Sequence, residues 1–203
     1  MEDKIQTDET GIYISTREEL QAAISQKRDI SGLDLSGLNL SGMKLTALNA
    51  AGINLSKADL SGAVIAAANM AGANLNEARL DGAVVVTSNL GGVQLQGANL
   101  RGAKFQMCNL DGADFSGADL TDTLWIATNV ADADFSEAET TGAKSSAVSW
   151  VTARTIPAKI PEPLFSTPRW APFAVLGLAG SLLAFVLLRR RKKPEYIPLD
   201  PGE

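Results

Sequence analysis

Residues 58–75 read Ala58-Asp59-Leu60-Ser61-Gly62-Ala63-Val64-Ile65-Ala66-Ala67-Ala68-Asn69-Met70-Ala71-Gly72-Ala73-Asn74-Leu75, and their large apolar residues stand five apart. A period of five belongs neither to a helix nor to a flat strand, so it identifies a repeat before any element is assigned. Working outward, the register holds at every multiple of five from Leu35 to Phe135. Of these 21 positions, 20 carry Leu, Ile, Val, Met, Phe or Trp and one carries Ala50. The residue two before each centre is Leu33, Leu38, Met43, Leu48 and Ile53 at first, then mostly alanine from Ala58 onward, with Ser88, Val93, Cys108, Thr123 and Thr128 as variants. No charged residue occupies these positions between 33 and 133. Two uncharged positions in every five suit a thin apolar axis, with the other three left to face water or form corners.

A period of twenty lies over the period of five. Positions 49, 69, 89, 109 and 129 are all asparagine, and positions 44, 64, 84, 104, 124 and 144 read Lys, Val, Val, Lys, Leu, Lys. Stacking every twenty residues puts like on like and predicts an asparagine ladder. Glycine recurs every ten residues at 32, 42, 52, 62, 72, 82, 92, 102 and 112 and again at 142, which predicts corners of positive φ, as in a type II turn.

The pattern A-[DN]-L-x-x is clearest in Ala58-Asp59-Leu60-Ser61-Gly62, Ala73-Asn74-Leu75, Ala98-Asn99-Leu100-Arg101-Gly102 and Ala118-Asp119-Leu120. It resembles the pentapeptide repeat protein family over residues 31 to about 150. The resemblance implies an all-β fold, a right-handed quadrilateral β-helix with four pentapeptides per coil. Residues 31–150 then make six coils, a rod of roughly 29 Å at about 4.8 Å per coil.

Such a rod needs a cap at each end. Residues 1–14 show no basic or apolar leader region and read as a disordered N-terminus without a secretory signal. Within 15–30, two overlapping capping boxes, Ser15 with Glu18 and Thr16 with Glu19, precede Leu20, Ala23 and Ile24 at helical spacing and predict a short capping helix over about 16–26. The repeat domain is expected over 31–152, plugged at its far end by Val148, Trp150 and Val151. The four prolines of 153–169 read as an extended linker.

Trp170 to Leu188 is a run of 19 uncharged residues, followed at once by Arg189, Arg190, Arg191, Lys192 and Lys193. At 1.5 Å per residue it spans about 28.5 Å, near the thickness of a hydrocarbon core, with Trp170 at the interface and 189–203 as a basic tail. A single-pass membrane helix is expected, in a bacterial plasma membrane or, since such repeat proteins abound in cyanobacteria, a thylakoid. The basic cluster favours a non-cytoplasmic repeat domain, whereas the absent signal favours a tail-anchored cytoplasmic one, and both orientations stay open. Pro161-Glu162-Pro163, the apolar run and Arg189-Arg190-Arg191 also resemble the C-terminal sorting signal processed by exosortases. In the apolar run, Gly177 with Ser181 and Gly180 with Ala184 give small-xxx-small pairs, the spacing of helix pairing and so of a homo-oligomer.

Function classes narrow by composition. The chain has no histidine and one cysteine, Cys108, which removes Ser-His and Cys-His nucleophilic sites, histidine metal sites and internal disulfides. Catalytic residues, cofactors and metals are therefore not expected, and Cys108, at an inward position, reads as an inert buried thiol. A net charge of -5 argues against nucleic acid as a partner. Two surfaces stand out. Outward positions turn apolar at Val64, Val84, Val86, Met107, Leu124 and Ile126, a candidate protein-binding or self-association patch. Eight acids without a basic residue among them fall between 111 and 139, and Asp114, Asp119, Asp134 and Glu139 form a candidate acidic face. The leading expectation is a non-catalytic, membrane-anchored scaffold for an unidentified protein partner. The alternative comes from family members that protect DNA gyrase by imitating duplex DNA; against it, residues 31–110 carry five basic residues and four acids.

Overall fold

The computed structural model describes residues 14–26 and 29–164. The apolar run 170–188, the basic tail and residues 1–13 lie outside the described residues. Among those described, no helix is long and apolar enough to cross a membrane.

The repeat folds as an all-parallel β-solenoid of about six coils. Three-residue strands recur every twenty residues: β1 (Lys44–Thr46), β2 (Val64–Ala66), β3 (Val84–Val86), β4 (Lys104–Gln106), β5 (Leu124–Ile126) and β6 (Lys144–Ser146). They stack in sequence order, each residue paired with the one twenty positions on, so that Leu45, Ile65, Val85, Phe105, Trp125 and Ser145 form one column. The other sides of the coil pair through single parallel bridges at the same spacing, such as Asn54 with Asn74 and Asp59 with Arg79.

Both inward positions of each pentapeptide from Met43 to Ala143 are buried, as the pattern predicts, and Leu38 before them is half-buried. They form one continuous core from Leu20 to Trp150. The repeat begins one unit earlier than the sequence reading placed it. Ile30 is a buried centre whose N–H donates to Asn49 O, and Asp29 accepts from Ser31 N.

Positive φ occurs at every fifth residue from Gly32 to Ala147, between +48° and +73°, four corners per coil rather than two. The ten-residue glycine period therefore marks only half of the corners. Most are closed by a turn bond, such as Ala63 N to Leu60 O at 2.9 Å. The corner after each of β2–β5 has no such bond among the described residues. It carries Ala67, Thr87, Met107 or Ala127, and no glycine. After β3, β4 and β5 the next residue is Ser88, Cys108 or Thr128, and each donates to the carbonyl two residues before it, Val86, Gln106 and Ile126, at 2.9, 3.3 and 3.1 Å.

Helix α1 (Arg17–Ser25) caps the first coil with Leu20 and Ala23 buried. Of the two capping boxes the second forms: Thr16 Oγ1 accepts from Glu19 N, and the Glu19 carboxylate accepts from the N–H groups of Thr16 and Ser15. Arg17 ties the helix to the rod through Ser41 O at 2.6 Å. At the other end the core turns aromatic. Phe105 stacks on Trp125 at 4.5 Å and Phe115 on Phe135 at 4.9 Å, and Trp150 closes the end edge-on to Trp125 and Phe135 at 5.5 Å each. Val148 packs against this core, but Val151 is 81% exposed and plugs nothing, because the 3₁₀ turn Trp150–Thr152 points Trp150 inward and its neighbour out.

Of the stretch 153–169, residues 153–164 are described and run along the sixth coil. Arg154 N donates to Ala133 O, Thr140 Oγ1 to Lys159 O, and β7 (Glu162–Pro163) pairs with β6. Pro163 is tolerated there because β7 is the last strand of the sheet.

Two substitutions test this architecture. Trp150→Ala lowers unfolding stability by about 3 kcal/mol or more, read by urea titration, with hydrogen exchange rising first in the sixth coil. Thr87→Gly raises it by about 1 kcal/mol, since a β-branched residue at φ +49° is strained where glycine is not.

Candidate protein-docking surface

In each coil the residues on either side of a strand's inward centre point outward, so β1–β6 present two parallel columns. One reads Lys44, Val64, Val84, Lys104, Leu124 and Lys144, and the other Thr46, Ala66, Val86, Gln106, Ile126 and Ser146. The structure therefore brings five of the six candidate patch residues onto one sheet face. Val64, Val84 and Leu124 share the first column, and Val86 and Ile126 the second. All five are half-buried, each shielded by its neighbours twenty residues away. Met107 stands apart, at the open corner beside the face, 58% exposed with φ +53°. The patch reading omitted Ala66 and the three lysines, although the twenty-residue register that exposed the valines contains them.

The acidic candidates do not form one face. Asp114 and Asp134 stack in one column, and Asp119 and Glu139 in the column one pentapeptide further on. Each carboxylate is occupied locally. Asp114 accepts from Ser116 N at 2.9 Å and from Gln96 Nε2 at 2.6 Å. Asp119 accepts from Thr121 N at 3.0 Å and from Arg101 at 3.2 Å. Asp134 accepts from Ser136 N and Thr155 Oγ1, and Glu139 from Thr141 N and Oγ1. Desolvation is the largest influence on Asp114 and Asp119 and pushes their pKa up, but the combined hydrogen bonds outweigh it and hold both below the ordinary carboxylate range. For Asp134 the Thr155 bond leads in lowering it, and for Glu139 the Thr141 bond does.

The same bond explains the D/N of the repeat. Where Asp or Asn precedes a centre, its side-chain oxygen generally accepts from the N–H two residues on, as in Asn54 to Ser56, Asn99 to Arg101 and Asp59 to Ser61. Asparagine serves as well as aspartate because only the oxygen is used. At position 49 and its successors the free amide also donates down the rod. Asn129 bonds Asn109, Asn109 bonds Asn89, Asn89 bonds Asn69 and Asn69 bonds Asn49, at 2.9–3.1 Å, and Asn49 ends on Asp29. The ladder stops where Ser149 replaces asparagine, beside a recess of about 310 Å³ lined by Thr128, Asn129 and Thr152. Cys108 is buried, which pushes its thiol up against the lowering effect of its backbone contacts, and it donates to Val85 O as well as Gln106 O. No group of three or more potential metal ligands gathers among the described residues.

A carboxyl group whose pKa is lower folded than unfolded adds stability that is present above the unfolded value and lost as pH falls through the folded one. Unfolding midpoints are therefore expected to hold from neutral pH to about pH 4 and to drop below it. Asp119→Asn keeps the oxygen acceptor and flattens part of that drop, whereas Asp119→Ala costs about 1 kcal/mol at neutral pH, measured by urea titration.

The family model described as pentapeptide repeats, in eight copies, matches residues 29–62, 58–86, 87–117 and 113–144. No curated protein matches the sequence. Among solved structures, a trypsin-treated variant of QnrB1, a plasmid-mediated fluoroquinolone resistance protein, is 17% identical with a TM-score of 0.44, covering 78% of this chain and 95% of its own. Rfr23, a pentapeptide repeat protein from the cyanobacterium Cyanothece 51142, is 24% identical with a TM-score of 0.35, covering 64% and 96%. A pentapeptide repeat protein from the Arabidopsis thaliana thylakoid lumen is 30% identical with a TM-score of 0.31, covering 54% and 76%. The family match spans more than half of the chain, in the register that every coil of the structure carries, and the chain belongs to the pentapeptide repeat family.

Proposed function

We propose that this chain is a non-catalytic, membrane-anchored scaffold whose strand face docks another protein. The observation that carries the reading is the sheet face itself, where Val64, Val84, Val86, Leu124 and Ile126 present adjoining aliphatic side chains to solvent on a rigid, hydrogen-bonded support. Anchoring is supported by the uncharged run Trp170–Leu188 and the Arg189–Lys193 cluster behind it. That cluster favours a non-cytoplasmic repeat domain.

The stacked carboxylates favour a second reading, a topoisomerase-binding mimic of DNA. Mimicry needs a continuous acidic stripe. Arg79, in the column of Asp119 and Glu139, pairs with Asp59 and Asp81, Arg101 pairs with Asp119, and Lys57 pairs with Glu77, which breaks the stripe along the first four coils.

Photo-crosslinking in the native host tests the docking reading. A crosslinking residue at Val84 or at Leu124 is expected to give the same discrete adduct, and one at Asn74, on a different side of the coil, none. Equal labelling from all three positions would sink it. Protease protection with a tag at each end tests the anchor: a shielded N-terminal tag and an accessible C-terminal one are expected when the cytoplasmic side is opened to protease. Loss of the C-terminal tag during maturation would indicate sorting-signal processing instead. In a gyrase supercoiling assay the full chain is expected to have no effect, and inhibition would favour the mimic.

A further inference from the structure

The docking face has a charge character distinct from the rest of the rod. Lys44, Lys104 and Lys144 stand in the same outward column as Val64, Val84 and Leu124. Among the described residues none of the three joins an ion pair, whereas Lys57, Arg79 and Arg101 each meet an acid. The twelve outward positions of β1–β6 hold no aspartate or glutamate. The nearest acids in sequence register lie at its margin: Asp122 at the corner before β5, and Glu162 in β7, paired in register with Lys144.

This arrangement selects among occupants. A second copy laid on the face would bring lysines and aliphatic residues against the same set, with no acid among the twelve outward positions of β1–β6 in either copy to answer the charge. The geometry points to an acidic, apolar segment of a partner protein, lying lengthwise along the rod. Its carboxylates meet Lys44, Lys104 and Lys144, and its aliphatic side chains cover Val64, Val84 and Val86 between the first two lysines and Leu124 and Ile126 between the last two. Lys44 and Lys104 are three coils apart and Lys104 and Lys144 two, which sets the carboxylate spacing at about 14 Å and about 10 Å for a rise of about 4.8 Å per coil. The aliphatic contacts supply most of the affinity, and the lysines, on long stems that tolerate small mismatches, supply register and partner choice. The inference rests on the docking reading of this face and adds the chemistry of what docks.

The test uses the full chain in detergent micelles and two labelled synthetic twelve-residue peptides of equal valine and leucine content, one with three glutamates and one with three lysines. Fluorescence anisotropy is expected to show the glutamate peptide binding at least about tenfold tighter, the difference shrinking as salt is raised. Reversing the three surface lysines together, Lys44→Glu, Lys104→Glu and Lys144→Glu, is expected to invert the preference without moving the unfolding midpoint. Val84→Asp is expected to weaken the glutamate peptide. Peptides that bind alike, or a preference unchanged by the triple reversal, would overturn the inference. If Val84→Asp then weakens both peptides, the docking face stands and only the acidic partner falls; if it weakens neither, the docking reading falls as well. Lysine-dependent binding to phosphatidylserine vesicles with no peptide preference would also overturn it, in favour of a lipid surface.

Discussion

The structure depends on one constraint, the parallel backbone ladder between residues twenty apart. Apart from the turn bonds at its corners, each coil satisfies its N–H and C=O groups through the coils above and below, so each must keep its neighbour's length and corners. A single inserted residue would move every later inward side chain off the axis. That is why the register runs without a slip from Ile30 to Lys144, and why substitutions along it change size and polarity but never spacing.

The narrow axis sets what can lie inside. Alanine or another small residue faces a large one for most of the length, and the aromatic run Phe105, Phe115, Trp125, Phe135 and Trp150 fills the end by stacking along columns and meeting edge-on between them. Polar atoms enter only where the backbone gives them a partner. Thr123 donates to Leu120 O and accepts from Trp125 Nε1, and no buried side-chain polar atom among the described residues lacks a bond. Helix α1 and the Trp150 turn finish the two ends, which keeps the apolar axis from becoming a contact for other molecules.

With the core so constrained, distinctiveness moves to the outward positions, and these are not equally free. Where the residue before a centre is Asp, Asn or Glu it generally caps its own corner, and this accounts for Asp114, Asp119, Asp134 and Glu139, whose charge would otherwise suggest recognition. The strand face lacks that duty. Its outward residues vary from valine to lysine along one unbroken ladder.

The repeat, its coil length, the buried positions and the asparagine ladder were legible in the sequence, because each follows from a period that side-chain direction converts directly into geometry. The shared column of Val64, Val84 and Leu124 was legible too, from the twenty-residue register alone, whereas Met107 stands apart at a corner. Other features were decided only by the folded chain. The sequence showed glycine every ten residues, but the ladder demands positive φ every five, and tertiary pairing holds Thr87 and Met107 there against their local preference. Trp150 turns in and Val151 out because one turn can present only one of them to the open core. The acids, contiguous in the chain, separate onto two sides of the coil because a five-residue step carries the backbone around a corner. Periodicity sets which residues face inward, whereas corners and ends depend on backbone partners brought from a full coil away, and those exist only once the coils have stacked.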